Sequence, residues 1–114
     1  MTFSEPGIEI TPQEAHEMIA SGAQLIDVRE TYEWDEGRIG GARHIELERL
    51  AAQAETIDKD RPVIFQCRLG ARSAMAAQAF RTAGYEAYTM TGGLQRWADE
   101  GLPLEPEGGR VADH

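Results

Sequence analysis

The residues of this chain that can do covalent chemistry are concentrated in one stretch. Cys67, the only cysteine among the 114 residues, ends an apolar run, and Arg68, Gly70, Arg72 and Ser73 follow it. The run predicts a buried strand, the next residues a short loop, and Ser73 the beginning of a helix. A helix N-terminus and two guanidinium groups favour the thiolate, which is the nucleophilic form of cysteine. Because glycine permits a positive φ that turns successive amides inward, the stretch predicts a reactive cysteine in an anion-binding loop.

An inert, buried cysteine is the alternative interpretation of Cys67, since unpaired cysteines are among the most buried residues in proteins. A packing cysteine would lie inside the apolar run, whereas Cys67 stands at its polar end beside an arginine, so we favour the reactive interpretation. A single cysteine excludes an internal disulfide, and it has no metal-ligand spacing with His16, His44 or His114. We therefore expect neither a metal site nor a cofactor.

The overall composition is that of an acidic protein of single-domain size. The chain has 114 residues and a formal net charge of −9, which suits one domain with one core. An acidic surface argues against general nucleic-acid binding, which depends on a basic footprint. Residues 1–6 lack the basic and apolar regions of a secretory signal, and no apolar run is long enough to span a membrane. We expect a soluble cytoplasmic protein that works as a monomer.

Strand-like and helix-like segments alternate along the chain, and these elements must position Cys67. Thr11, Pro12 and Glu14 form a helix-start pattern, with a capping hydroxyl, a proline at the first helical position and a glutamate at the third. The alternation is typical of an α/β fold with a mostly parallel sheet, in which ligands bind at the carboxyl ends of the strands. The predicted strands are 8–10, 24–28, 42–45, 62–66 and 85–90, and the predicted helices are 12–21, 47–54, 73–83 and 94–100, with a helical turn within 29–37.

Two further features concern the framework around the nucleophile. Asp27 and Arg29 flank the end of the second strand, and we interpret them as an ion pair that anchors the following loop. Residues 1–104 form the predicted domain. From residue 105 the chain is rich in proline, glycine and charge, which predicts a flexible C-terminal tail over residues 105–114.

Several segments, taken in order, resemble the single-domain rhodanese family. The resemblance runs from about Ile8 to Pro103, and the loop that begins at Cys67 is its most specific part. The matching segments are 25–30 (Leu-Ile-Asp-Val-Arg-Glu), Glu33-Trp34, 37–42 (Gly-Arg-Ile-Gly-Gly-Ala), the 67–73 loop, Gly84-Tyr85, and Gly92-Gly93-Leu94 with Trp97.

This resemblance implies a rhodanese-like five-stranded parallel sheet flanked by helices on both faces. It also implies a thiosulfate sulfurtransferase, which takes a sulfane sulfur from thiosulfate or a similar anionic donor and holds it as a persulfide on Cys67. The sulfur would then pass to a thiophilic acceptor such as cyanide, a thiol or a protein. The residues implied to bind the donor are those of the loop: Arg68, Leu69, Gly70, Ala71, Arg72 and Ser73.

The same resemblance carries one preference and two departures. The two arginines of the loop suit a doubly anionic donor such as thiosulfate better than mercaptopyruvate, whose sulfurtransferases usually have less basic loops. The family often has histidine and proline at the positions of Arg38 and Gly40 in this chain. Those two positions shape a neighbouring loop and do not carry the nucleophile.

Two other functions stay open on the sequence alone. Phosphatases and arsenate reductases also use a thiolate in an arginine-closed loop, but the related phosphatases have five residues between the cysteine and the arginine. Four residues separate Cys67 from Arg72. A persulfide carrier would receive sulfur from a desulfurase and hand it to a biosynthetic protein, with the same chemistry at Cys67. We rank a sulfurtransferase first.

Overall fold

The computed structural model describes residues 7–113, in which five strands form one fully parallel sheet. Residues 1–6 and His114 lie outside this range, and so do the predictions made for them. The strand order is β1-β5-β4-β2-β3, which places β4 at the centre of the sheet. The strands are β1 Glu9–Ile10, β2 Gln24–Asp27, β3 Arg43–His44, β4 Val63–Gln66 and β5 Ala87–Met90.

Helices cover both faces of the sheet, which confirms the predicted α/β architecture. Neighbouring residues of β4 point to opposite faces. Phe65 packs with Phe80 on one side, and Ile64 packs with Trp97 on the other. The helices are α1 Pro12–Ala20, α2 Thr31–Glu36, α3 Leu50–Gln53, α4 Ala71–Thr82 and α5 Gly93–Asp99, and 3-10 turns flank α3 at Leu47–Arg49 and Ala54–Thr56. Within residues 7–113, no helix combines the length and the apolar character needed to cross a bilayer.

The helix-start pattern before α1 is confirmed in atomic detail. Thr11 Oγ1 accepts a hydrogen bond from the Glu14 amide at 3.1 Å, and Glu14 Oε1 accepts one from the Thr11 amide at 2.8 Å. This reciprocal pair satisfies two backbone donors that a helix start leaves free. It sets the beginning of α1 directly after β1.

Two helix predictions differ from the structure. The segment predicted as one helix over 47–54 is divided, because the Leu47 amide bonds to the Val28 carbonyl while Arg43 bonds to Thr56. Both ends of the segment are therefore tied to the β2 and β3 side of the sheet, and they form 3-10 turns in place of α-helix. The helix predicted over 73–83 ends one residue earlier, since α4 ends at Thr82 and Ala83 is exposed.

The segment after Leu104 lies against the chain around α2. The amide and carbonyl of Glu105 pair with those of Arg38 at 2.7 and 2.8 Å, and the Arg110 amide donates to the Glu36 carbonyl at 2.9 Å. Ala112 is buried. The flexibility of residues 105–114 stays a prediction. In the structure, residues 105–113 lie against the chain around α2.

The two departures from the rhodanese pattern both meet this C-terminal segment. Arg38 provides the backbone partner of Glu105. At Gly40, an added Cβ would lie 2.7 Å from the Glu105 side chain. The atoms that it would meet are the flexible end of an exposed side chain, which can move aside, so this contact does not by itself require glycine.

Candidate active site

Cys67 lies at the carboxyl end of β4, and two backbone amides point at its sulfur atom. Sγ accepts hydrogen bonds from the Gly70 amide at 3.1 Å and the Ser73 amide at 3.4 Å. The thiol donates to Ser73 Oγ at 3.5 Å, and that hydroxyl is held by a 2.7 Å contact with Thr89. Converging N–H groups favour negative charge on the sulfur atom. The geometry is therefore suited to a thiolate.

The loop turns at Gly70 into α4, which begins two residues before the predicted helix start. Gly70 has φ of 111°, as the glycine in the sequence predicted, and α4 begins at Ala71. Ser73 is therefore the third residue of the helix and not its first. The amides of a first helical turn have no partner within the helix, which leaves the Ser73 N–H free to bond to Cys67.

The glycine pair at 92–93 lies against this loop and precedes two residues whose amides bind it. The amide of Leu94 donates to the Cys67 carbonyl at 2.7 Å, and the amide of Gln95 donates to the Arg68 carbonyl at 3.0 Å. At Gly93, φ is 60° and an added Cβ would lie 2.3 Å from the Cys67 carbonyl oxygen. Only glycine permits this approach. The pair belongs to the motifs that resemble the rhodanese family, but no local pattern in the sequence indicates its contact with the loop.

The two loop arginines do not both face the cavity as free cations, contrary to what the residue types suggested. The guanidinium of Arg72 binds both carboxylate oxygens of Glu33, at 2.8 and 3.0 Å. Glu33 is fully buried, and Arg72 retains 19% side-chain exposure. The hydrogen bond to Glu33 is the main reason that the pKa of Arg72 is raised above its usual value.

Glu33 is a site residue that the sequence analysis missed. It also accepts the Glu30 amide at 3.0 Å, in a capping arrangement at the start of α2. The spacing of two glutamates three residues apart, with Glu30 at the cap of α2 and Glu33 in its first turn, could have revealed this capping role. Its contact with Arg72 joins residues 39 positions apart in the chain, so no local pattern contains it.

Arg68 has a different environment from Arg72. Its guanidinium lies 3.6 Å from the Asp113 carboxylate, whose side chain is fully exposed. Arg68 Nε is buried and has no hydrogen-bond partner within residues 7–113. Of the two loop guanidinium groups, that of Arg68 has the longer and more exposed contact with a carboxylate.

The predicted ion pair between Asp27 and Arg29 is confirmed, and it lies under α2. Both residues are completely buried, with an Nη2–Oδ2 distance of 2.8 Å. The guanidinium also donates to the carbonyls of Glu33 and Gly37. His44 Nε2 contacts the Arg29 carbonyl at 2.7 Å. The pair thus fixes the backbone that carries Glu33 toward the Cys67 loop.

A cavity of about 270 Å³ opens in front of the loop, lined by Cys67, Arg68, Leu69, Ala71 and Arg72. The predicted binding residues Gly70 and Ser73 lie behind it and direct their amides at the sulfur. Leu69 is 59% exposed at the rim. Among residues 7–113, no group of three or more histidine, cysteine, aspartate or glutamate side chains could hold a metal ion. The cavity therefore brings together a cysteine sulfur, two oriented amides and the side chain of Arg68.

Comparison with known proteins decides the family. The family model of the rhodanese-like domain matches residues 11–100, most of the chain. The protein belongs to the rhodanese family. This confirms the resemblance that the 67–73 loop and the flanking motifs indicated.

Relatives of this rhodanese include named sulfurtransferases. It is 36% identical to the thiosulfate sulfurtransferase GlpE of Actinobacillus succinogenes over 99 residues, which are 85% of this chain and 89% of that protein. It is 45% identical to the uncharacterized protein YqhL of Bacillus subtilis over 76 residues, which cover 66% of this chain and 60% of that protein's length.

A solved structure agrees with the fold of this rhodanese. The crystal structure of a rhodanese-related protein from Thermoplasma volcanium superimposes with a TM-score of 0.79 at 28% identity. The superposition covers 84% of this chain and 95% of the other. The parallel sheet and its helices are therefore those of the family.

Proposed function

We propose that this protein is a sulfurtransferase that moves a sulfane sulfur from thiosulfate or a similar anionic donor to a thiophilic acceptor through a persulfide on Cys67. The observation that carries the proposal is the convergence of the Gly70 and Ser73 amides on Sγ at the base of an open cavity. The rhodanese family and its members named thiosulfate sulfurtransferase support it.

The first half-reaction is a displacement at sulfur. The Cys67 thiolate forms a bond to the outer sulfur of thiosulfate, the S–S bond of the donor breaks, and sulfite leaves with the electron pair. The product is a cysteine persulfide anion, so the total charge is unchanged. Oriented amides at the sulfur stabilise its negative charge without reorganising, and the thiolate needs no separate general base.

The second half-reaction releases the outer sulfur. A thiophilic acceptor such as cyanide or a thiolate attacks the terminal persulfide sulfur, and the electron pair of the S–S bond returns to Cys67. Covalent catalysis in this form divides one difficult transfer into two easier ones. The acceptor is a small nucleophile or a protein thiol that enters the same cavity.

The arrangement around Arg72 argues against a phosphatase. Such an enzyme requires the loop arginine to face the phosphate, whereas both terminal nitrogens of Arg72 are bound to Glu33. The loop also has four residues between Cys67 and Arg72. Turnover of an aryl phosphate that is lost in Cys67→Ser would contradict the ranking.

The decisive experiment is intact-mass spectrometry of the purified protein before and after incubation with thiosulfate. We expect the wild type to gain the mass of one sulfur atom and to lose it on addition of cyanide. The Cys67→Ser variant is the control, and it should gain nothing. A wild type that gains no sulfur from thiosulfate but gains it from a desulfurase persulfide would contradict the thiosulfate reaction and favour the carrier function.

A further inference from the structure

The hydroxyl of Ser73 lies between three possible hydrogen-bond partners at the Cys67 site. Ser73 is completely buried. Its Oγ is 3.5 Å from Cys67 Sγ, 3.2 Å from the Gly70 carbonyl oxygen and 2.7 Å from Thr89 Oγ1. A serine hydroxyl has one hydrogen to donate and two lone pairs that accept. The atom that receives this hydrogen therefore decides whether Ser73 stabilises charge on the sulfur.

Thr89 is the one neighbour of this hydroxyl that can donate to it when Cys67 is ionised. A carbonyl oxygen has no hydrogen to donate, and a thiolate has none either. Thr89 is 3% exposed, and over the described residues 7–113 its Oγ1 forms no hydrogen bond other than the contact with Ser73. The Thr89 hydrogen therefore has Ser73 Oγ as its acceptor.

The network has one arrangement for the thiol and another for the thiolate, and Thr89 donates in both. With the thiol, Ser73 accepts from the sulfur and from Thr89, and it donates to the Gly70 carbonyl. When Cys67 loses its proton, the Ser73 hydrogen turns to the sulfur, because a hydrogen bond to an anion is stronger than one to a neutral oxygen. Donation from Thr89 polarises the Ser73 hydroxyl and strengthens that bond.

Resting on the proposed sulfur transfer, we infer that Thr89 is a positioning residue of the site: its hydroxyl donates to Ser73 and so leaves the Ser73 hydrogen for the sulfur of Cys67. Thr89 acts through Ser73, with which it shares the 2.7 Å contact. The bond from Ser73 favours the thiolate that attacks the donor. It also favours the same thiolate when the acceptor removes the outer sulfur. Ser73 and Thr89 are 16 positions apart in the chain, so no local pattern contains the pair.

The charged groups around the sulfur stay the same when the Thr89 hydroxyl is removed. Arg72 is close enough for its charge to interact with that of Cys67. A change in thiolate formation after a substitution at Thr89 therefore comes from the hydroxyl network. The charged side chains on the surrounding elements are Arg68 with Asp113, Arg72 with Glu33, the buried pair Asp27 and Arg29, and the exposed Glu9 of β1, which is in register with Thr89.

The test is a double-mutant cycle of Thr89→Val and Ser73→Ala, in which the ultraviolet absorbance of the thiolate is followed as the pH is raised. Cys67 is the only cysteine of the chain, so subtracting the absorbance of Cys67→Ser isolates its signal. We expect the pH midpoint of this signal to rise by about half a unit in Thr89→Val and by about one unit in Ser73→Ala, because an anion that loses a hydrogen bond is less stable. In the Ser73→Ala background, Thr89→Val should add no further shift.

Two further variants separate the hydroxyl of Thr89 from its packing. Thr89→Ser keeps the hydroxyl and should restore the wild-type midpoint. Thr91→Val is the matched control, because Thr91 follows β5 directly and its hydroxyl contacts Glu9 at 3.4 Å. Its midpoint should equal that of the wild type. Below the midpoint, where sulfur loading from thiosulfate follows the thiolate fraction, loading should slow about threefold in Thr89→Val, which is half a pH unit expressed as a ratio.

The outcomes separate this inference from the proposed function, because the absorbance of the thiolate does not depend on sulfur transfer. An unchanged midpoint in Thr89→Val, or in Ser73→Ala, would overturn the role of Thr89. A shift in Thr89→Val that is equally large in the Ser73→Ala background, or that Thr91→Val reproduces, would show an effect of packing and overturn it as well. A wild type that shows the expected cycle but forms no persulfide would instead contradict the proposed function alone.

Discussion

The carboxyl ends of β2 and β4 lie side by side, because Asp27 is paired with Gln66 in the sheet, yet their polar groups are used in opposite ways. At the end of β2, Asp27 and Arg29 are fully buried and form an ion pair. The Arg29 guanidinium also donates hydrogen bonds to the carbonyls of Glu33 and Gly37. At the end of β4, the polar donors converge on Cys67 from one side, and the other side is open to a cavity.

This difference separates a structural network from a candidate reactive site. A buried polar network in which each group is satisfied makes the local conformation rigid. A network whose amides point at one atom beside a cavity keeps its interactions for the charge that develops during a reaction. Glu33 connects the two, since its carbonyl accepts from Arg29 and its carboxylate binds Arg72.

The largest effect on stability is expected at the β2 end. Arg29→Met should lower the free energy of unfolding by about 3–5 kcal/mol, because it leaves Asp27 as an unpaired buried charge. Urea denaturation followed by circular dichroism measures the change. Arg110→Met is the control, since Arg110 forms only an exposed pair with Glu36, and its cost should stay below about 1 kcal/mol. Equal losses in the two variants would refute the assigned role.

A smaller loss is expected where the glycine pair supports the β4 end. Gly93→Ala should cost about 2–3 kcal/mol, through a strained positive φ and a collision with the Cys67 carbonyl. It should also slow sulfur transfer, because the carbonyl and its loop must shift. The control is Gly101→Ala, which has φ of 79° and no atom within 4 Å of the added Cβ. Its cost should be about 1 kcal/mol, and a loss in Gly93→Ala no larger than this would argue against the collision.

The smallest effect on stability is expected at Cys67, the proposed nucleophile. Cys67→Ser should change the free energy of unfolding by about 1 kcal/mol or less, since Oγ can accept the same two amides. The same substitution should abolish persulfide formation. Thermal unfolding of the two proteins in parallel measures the difference. A loss as large as that of Arg29→Met would mean that the loop stabilises the fold, and the contrast between the two strand ends would fail.

The order of strands and helices followed from the sequence because each element has a local signal. The capping box at Thr11 and Glu14 is contained within four residues, and the left-handed Gly70 and Gly84 mark helix boundaries. The start of α4 was misplaced by two residues, since Ser73 looks like a capping residue. In the fold its hydroxyl instead contacts the Thr89 side chain of β5.

The sequence by itself indicated Cys67 as the candidate nucleophile and determined the glycine of its loop and the parallel α/β framework, because residue type, spacing and periodicity are local properties of the chain. Only the tertiary structure decided the charge of the site. Whether an arginine is free or neutralised depends on a carboxylate that arrives from elsewhere, such as Glu33 at Arg72. The electrostatic energy of two charges depends on their distance in space, and their separation along the chain does not predict that distance.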